Sequence, residues 1–461
     1  MIRRPPGPKP HLVIGNMPLA GRAPLPTFLR WARQFGDIFY YRALWLHVYF
    51  LNHPDLIEAV LIGNARSVQK DHVVRNSRWF LGEGLLTSEG ESWLRQRRLL
   101  QPAFHRARIA SYAKIMVDLT EHMLSGWRAG EVRDIHADMM QLTLRIVVRC
   151  LFPVEAGEIE KIPSAMNALM RNASGVRMLF PPVTRYLPIP TMIAVREAVR
   201  HLDETVYRII AERRASPDCA GDLLSTLVRA RDEDGSRLTD RQLRDEIMTF
   251  LLAGHETTAL ALSWTWHLLA EHRAVEEKLH RELGRVLGNR AAGSADVPAL
   301  TYSERVIKES MRLYPPAWSL ARTVTADLYM GGYRIPAGAN VVMSQWIMHR
   351  DPRYFPEPET FDPDRWLPQQ AEKLPRFAYF PFGGGGRQCI GASFAMMEAV
   401  LVLVTIARRF RLRSVPGETV VPVPGFTLRP KHGIPMRLEA EPAEELGNLH
   451  SLAAENLSEQ L

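Results

Sequence analysis

Hydrophobic and polar positions recur with two different periods along this chain. Where the period is two, strands are expected. "GDIFYYRALWLHVYFLNHP" (36–54) is aromatic and β-branched and ends in Asn-His-Pro, which predicts two strands of a small sheet. Residues 322–348 alternate in the same way, with Gly-Gly and Pro-Ala-Gly turns, and a last strand pair is expected around "VPGFTLRPKHGIPMRLE". Elsewhere the spacing is three to four. "PDLIEAVLIG" reads as a helix, and so does most of 91–285. The longest predicted helix runs from Thr239 to about His272, opened by a capping residue and early acids in "LTDRQLRDE". Another covers about 391–409 and carries the run "AVLVLVTIA", too short to span a bilayer.

The breaks in the pattern are as informative. Residues 70–90 are polar and glycine-punctuated, so an irregular stretch is expected. "LFPPVTRYLPIPTM" (179–192) is an apolar, proline-rich break between helices, of the kind that covers a site or meets a membrane. The prolines of the first thirty residues suggest an extended lead-in strapped to the surface, and residues 441–461 an acidic, flexible tail.

Composition changes the picture little. With 461 residues, 46% of them hydrophobic and 23% charged, length allows two or three domains around ample cores. A formal charge of +8 favours an acidic partner, an anionic membrane surface or nucleic acid without choosing among them. The basic, proline-rich N-terminus has no long apolar core, so no signal peptide is expected, and no membrane span. The three cysteines, Cys150, Cys219 and Cys389, form no close pair. That argues against a disulfide framework or a structural zinc, and for a cytoplasmic protein.

One cysteine stands in an unusual place. "FGGGGRQCIG" (382–391) leads glycines through Arg387 into Cys389, with a helix expected just after it. It is not a phosphate loop, which would place Lys-Ser/Thr after the last glycine. A thiol nucleophile stays open, since one sequence cannot show its base. A haem thiolate fits the glycines, the N–H groups and the helix start, which favour thiolate over thiol. The stretch resembles the haem-binding loop of the cytochromes P450, Phe-x-x-Gly-x-Arg-x-Cys-x-Gly.

Further stretches carry the same resemblance, in the family's order. "AGHETT" (253–258) is similar to the oxygen-activating helix motif. It implies Ala253 and Gly254 against the haem, with Glu256 and Thr257 supplying an acid and a hydroxyl; His255 gets no role. "KESMRLYPPAW" (308–318) resembles the Glu-x-x-Arg helix, which implies a buried, fully paired structural network of Glu309, Arg312 and Arg365. "WLRQRR" (93–98) matches Trp-x-x-x-Arg. Trp93, Arg97, Arg322 and Arg387 become propionate partners, Phe382, Gly383 and Gly391 haem contacts, and His349 a neighbour of the haem edge. Substrate-contact positions implied are Trp79, Phe80, Leu85, Phe180, Thr249, Ala253, Leu260, Ala317, Trp318 and Phe426.

The resemblance implies one mainly α domain over 1–440 with a smaller β-rich portion near 36–52, 322–348 and 420–438, enclosing haem b (iron protoporphyrin IX). Its expected work is insertion of one oxygen atom of O2 into a small apolar substrate: a fatty acid, terpenoid, carotenoid or steroid. Electrons would come from an acidic ferredoxin or flavodoxin with its NAD(P)H reductase. A monomer is expected, without nucleic acid, and Arg95, Arg98, Arg106 and Arg108 are the expected donor-docking cations. Alternatives are a haem-thiolate peroxygenase or isomerase, or a non-enzymatic haem sensor.

Overall fold

The computed structural model describes residues 4–17, 23–152, 189–215 and 222–441. Its principal elements run α1 (Pro24–Phe35), β1 (Ile38–Ala43), β2 (Leu46–Leu51), β3 (Val68–Lys70), α2 (His72–Asn76), α3 (Arg78–Leu81), α4 (Gly90–Leu100), α5 (Ala113–Ser125), β4 (Val132–Asp134), α6 (Ile135–Leu151), α7 (Pro190–Ala215), α8 (Asp240–Glu271), α9 (Arg273–Val286), α10 (Thr301–Leu313), β5 (Leu320–Val324), β6 (Leu328–Met330), β7 (Tyr333–Ile335), β8 (Asn340–Met343), α11 (Ala392–Ala407), β9 (Phe410–Ser414), β10 (Pro422–Pro424), β11 (Leu428–Pro430) and β12 (Pro435–Ala440). The mainly α class with a smaller β portion is as expected.

The β portion is a five-stranded sheet in the order β1-β2-β8-β5-β3, a three-stranded sheet β4-β12-β9, and the two hairpins β6-β7 and β10-β11. The expected last strand pair is therefore split: 422–430 closes on itself, while β12 joins β4 and β9. Residues 4–17 are strapped down as expected of the lead-in, with Tyr40 N donating to the Pro6 carbonyl at 2.8 Å and Asn16 N to the Arg42 carbonyl at 2.6 Å, but the expected extended run does not reach residue 30, because Pro24 at the first helical position starts α1. Residues 70–90 depart from expectation. They hold two short helical turns, α2 and α3, because Asp71 caps the first through Val73 N at 2.7 Å and Ser77 hands one turn to the next.

The helices stack around α8, which packs most extensively on α6 and also meets α10 and α11. Thr239 and Gln242 form the reciprocal cap that starts α8. The helix is buried nearly all round, so it needs no amphipathic stripe. No helix of the described residues is long and apolar enough to cross a membrane. The residues 179–188, including Phe180, lie outside the described residues, as do Cys219 and the tail beyond 441; 190–192 begin α7.

One buried charge ties the helices to the meander that follows β8. The Arg312 side chain is 0% exposed. Its Nε and Nη2 donate to the Glu309 carboxylate at 2.9 and 2.8 Å. Its remaining donors reach the carbonyls of His349, Pro358 and Thr360 at 2.9, 2.6 and 2.9 Å. Trp366 Nε1 adds a bond to Glu309 at 2.9 Å that the motif did not suggest. Arg365 is the weaker third member: its Nε stands 3.4 Å from Glu309 and makes no hydrogen bond, so the network is not fully paired. His349 is buried in this framework, taking the Phe380 N–H at 3.0 Å, and does not line the cavity described below.

Removing Arg312 strands a buried carboxylate, which costs about 3–5 kcal/mol. Arg312→Leu should therefore lower the urea midpoint far more than Arg365→Leu. Equal losses in the two variants would contradict this ranking.

Candidate active site

The loop before α11 is shaped by its glycines. Cys389 N donates to the Phe382 carbonyl at 3.0 Å, closing the loop on itself. Gly385 has φ +67°, and a Cβ there would run into the Leu61 carbonyl oxygen. The Cys389 thiol lies deep among protein atoms but opens onto a cavity of about 620 Å³. Burial raises its pKa, against the Gly391 N–H and the nearby Arg97 charge, which both favour thiolate. The sulfur has its anion-stabilising partners in place and needs a positive partner to overcome desolvation. Among the described residues no group of His, Cys, Asp and Glu could hold a metal, so a metal reaching this sulfur has to bring its own other ligands.

Four cations turn into the same cavity. Arg97 gives Nη1 to the Gln388 carbonyl at 2.9 Å. Arg387 stacks over the Trp93 ring at 4.2 Å, is paired with Glu89, and bonds the Ser88 carbonyl at 3.1 Å. Arg322 is buried and bonds only its neighbour's carbonyl, Ala321, at 2.8 Å. Lys70 was missed by the sequence reading. It sits directly across from Arg322 in the β3–β5 pair and donates to the Leu85 carbonyl at 2.7 Å. Like charges facing across strands repel. Burial pushes Lys70 down to about 7, with Arg387 and Arg322 adding to the shift, and pushes Arg322 down to about 10. An anionic group in this cavity would reverse both effects. A planar macrocycle with carboxylate arms and a central cation fits thiol and cations together.

On α8, Ala253, Gly254 and Thr257 line the cavity, and Phe250, not foreseen, continues the face at helical spacing. Its ring meets Phe104 at 5.5 Å. A Cβ on Gly254 would stand 3.1 Å from Val147, so the glycine also lets α8 approach α6. Thr257 donates its hydroxyl to the Ala253 carbonyl at 2.7 Å, which leaves the oxygen's lone pairs to accept from the cavity. His255 points into the core, its Nδ1 at 2.5 Å from the Leu251 carbonyl. Glu256 lines the cavity but is not unpartnered. Its carboxylate takes Thr427 Oγ1 at 2.5 Å and Arg429 Nε at 2.6 Å, both from the β10–β11 hairpin.

The rest of the wall is mainly apolar. Leu85, Thr249, Ala317, Trp318 and Phe426 line it as expected. Trp79, Phe80 and Leu260 do not. Helix α3 turns Phe80 into the core beneath α7 and α8, with Trp79 packed against the same cluster, while Leu260 faces the α5–α6 side of α8. Val73 and Val74, carried in by the helical turn α2, and Leu86, from the stretch after α3, take their place. Of the expected docking cations, Arg95 is paired with Asp232 at 2.8 Å and Arg98 with Glu233 at 3.0 Å.

The comparisons bear on this arrangement directly. Cyclooctatin synthase of Streptomyces melanosporofaciens is 40% identical over 93% of this chain and 95% of its own length. Cyclooctat-9-en-7-ol 5-monooxygenase of the same organism is 39% identical over 88% and 90%. Pentalenene oxygenase of Streptomyces avermitilis is 34% identical over 93% and 95%. The crystal structure of the cytochrome P450DA heme domain superposes with a TM-score of 0.88 at 28% identity, covering 96% of this chain and 99% of that one. With the Cytochrome P450 family model matching residues 5–435, a thiol facing a cation-ringed cavity is accounted for: this chain belongs to the cytochrome P450 family and is a haem-dependent monooxygenase.

Proposed function

We propose that the cavity takes haem b with the Cys389 thiolate on its iron, and that the enzyme inserts one oxygen atom of O2 into a cyclic terpenoid. The observation that carries this reading is the convergence of Cys389, Lys70, Arg97, Arg322 and Arg387 on one apolar cavity. Three similar proteins with names denoting oxygenation or synthesis of cyclooctatin- and pentalenene-type compounds support the substrate class. When bound, the haem supplies oxygen reduction and oxygen-atom transfer.

The chain's residues do the rest. Lys70, Arg97, Arg322 and Arg387 hold the propionates, and Trp93 backs Arg387. Gly391 N–H and Arg97 favour the anionic form of the sulfur, against the burial that raises its pKa. Val73, Val74, Leu86 and Phe250 exclude water and orient the substrate by shape, and the Thr249 hydroxyl, which donates to the Asp245 carbonyl at 2.9 Å, has lone pairs left to accept from it. Thr257 positions a proton at its hydroxyl, and Glu256 renews it. Arg429, partly exposed, connects Glu256 toward solvent. Electrons come from a separate acidic ferredoxin or flavodoxin with its NAD(P)H reductase, in the cytoplasm. Arg95 and Arg98 are already paired, with Asp232 and Glu233, which weakens both as docking cations. The domain of this monomeric enzyme spans 1–440.

Cys389→Ser should lose the strongly red-shifted absorption of the reduced carbon-monoxide complex; a retained band would refute the ligand assignment. Thr257→Ala should keep that band and substrate binding, while product per NAD(P)H falls several-fold and peroxide rises. Unchanged coupling would remove Thr257 from proton delivery.

Lys70 gives a pH prediction. Its folded-state pKa, about 7, is below its unfolded value of 10.5 in the haem-free chain. The unfolded chain therefore binds the extra proton between those values, and stability rises with pH across that window. Haem-free wild type should gain stability relative to Lys70→Met as pH climbs from about 7 toward 10.5. In the loaded protein, Lys70→Met should release haem to apomyoglobin several-fold faster. A flat pH difference and an unchanged release rate would show that Lys70 faces no propionate.

A further inference from the structure

The two most exposed apolar side chains among the described residues, Leu12 and Val13, lie on a turn beside the one that carries Trp45, far along the chain from the Cys389 loop. Leu12 is 91% exposed, Val13 75% and Trp45 55%. The first turn, His11–Gly15, bridges to Ala43, and Leu44 N donates to the Ile14 carbonyl at 3.4 Å, so the His11–Gly15 and Leu44–Trp45 turns sit side by side. Arg42 clasps them by donating Nη2 to the His11 carbonyl at 2.5 Å and to that of Leu12.

The Leu44–Trp45 turn is chemically odd. It links β1 to β2 in two residues, a turn that favours Asn-Gly. Leu44 nonetheless takes φ +54°, a conformation leucine resists. A local preference has been overridden, and the result is an apolar tip presented to solvent.

The surroundings are cationic. Arg4, Lys9 and Arg42 accompany the tip, and no Asp or Glu occurs in 4–17 or 38–54. Over residues 1–54 there are seven lysines and arginines against one acid, Asp37, which is most of the chain's +8. The field is felt locally: after burial, Arg4 and Arg42 are what hold the His47 imidazole below its ordinary pKa.

We propose that this tip docks the enzyme peripherally on an anionic lipid bilayer, with Leu12, Val13, Ile14 and Trp45 entering the headgroup region and Arg4, Lys9 and Arg42 facing lipid phosphates. A few side chains on two turns fall far short of the roughly 800 Å² a side that a stable protein interface buries. Entry into headgroups needs no matching shape, only apolar side chains beside cations. The inference does not depend on the substrate assignment.

The haem-loaded full chain would be sedimented with vesicles of equal parts phosphatidylglycerol and phosphatidylcholine, and with phosphatidylcholine alone. Binding should be about tenfold tighter to the anionic vesicles and should fall as salt rises from about 0.1 M to 1 M, as the Debye length shrinks from ~10 to ~3 Å. Leu12→Ser/Trp45→Ser should weaken it about tenfold with the carbon-monoxide spectrum intact, which certifies the fold. Tyr329→Ser, another exposed apolar residue, on the β6–β7 hairpin, should bind as wild type. Binding indifferent to lipid charge, or retained in full by the double variant, would overturn the proposal. So would a lipid-free dimer that the double substitution dissolves while vesicle binding persists, since the tip would then serve a second copy of the chain.

Discussion

A guanidinium cannot be discharged inside a protein, so the wholly buried Arg312 must be solvated by the fold itself. Five donors and five acceptors' worth of geometry follow from that requirement. Glu309 comes from the same face of α10, three residues earlier. The carbonyls of His349, Pro358 and Thr360 have to be delivered by a meander that holds only short helical turns. That constraint fixes the chain between β8 and the glycine loop. Trp366 and His349 reinforce it, the latter by taking the Phe380 N–H just before the loop begins. The position of Cys389 is therefore a downstream consequence of one buried charge.

A second imbalance is only partly corrected by the protein, through Glu89, Glu246 and Asp71. Lys70 and Arg322 oppose each other across two strands, with Arg387 near both, while Glu89 is engaged by Arg387 and Asp71 by the cap of α2. A fold that buries cations in this way carries a cost that a bound dianion removes. Cofactor retention and local stability are thus the same electrostatic quantity seen from two sides. The lowered pKa values of Lys70 and Arg322 are its signature in the chain without the cofactor.

Local chemistry was legible in the sequence, and long-range pairing was not. The cap at Thr239, the helix over 240–271, the strands at 38–51 and the ordered motifs around Cys389, Glu309 and Gly254 all rest on residues within a few positions of each other. Lys70 escaped notice because its meaning depends on Arg322, which reaches it only through strand pairing. The resemblance implied Trp79 and Phe80 as cavity-wall residues. The turn at α3 decides otherwise, with Arg244 Nη2 holding the Phe80 carbonyl at 2.9 Å. Phe250 could have been found by extending the Gly254–Thr257 face back one helical turn. The partners of Arg95 and Arg98 lie more than a hundred residues away, and no local pattern announces them.

The hairpin over 422–430 carries a constraint that joins two parts of the proposed mechanism. Phe426 stands on the cavity wall, while Thr427 beside it and Arg429 hold the Glu256 carboxylate. Gly425, on the other side, gives its carbonyl to Trp318 Nε1 at 2.9 Å, and Trp318 is itself a wall residue. A ligand that presses Phe426 outward acts on a segment pinned at both flanks, by an indole on one side and a buried acid on the other. The Glu256–Arg429 pair is partly exposed on its arginine side, so a small rotation of the hairpin changes how well the acid is desolvated. In the proposed mechanism, substrate fit and proton supply then rest on the same few residues. A poorly fitting ligand strains the acid's hydrogen bonds as well as its own contacts, which is a physical reason for coupling to depend on substrate shape.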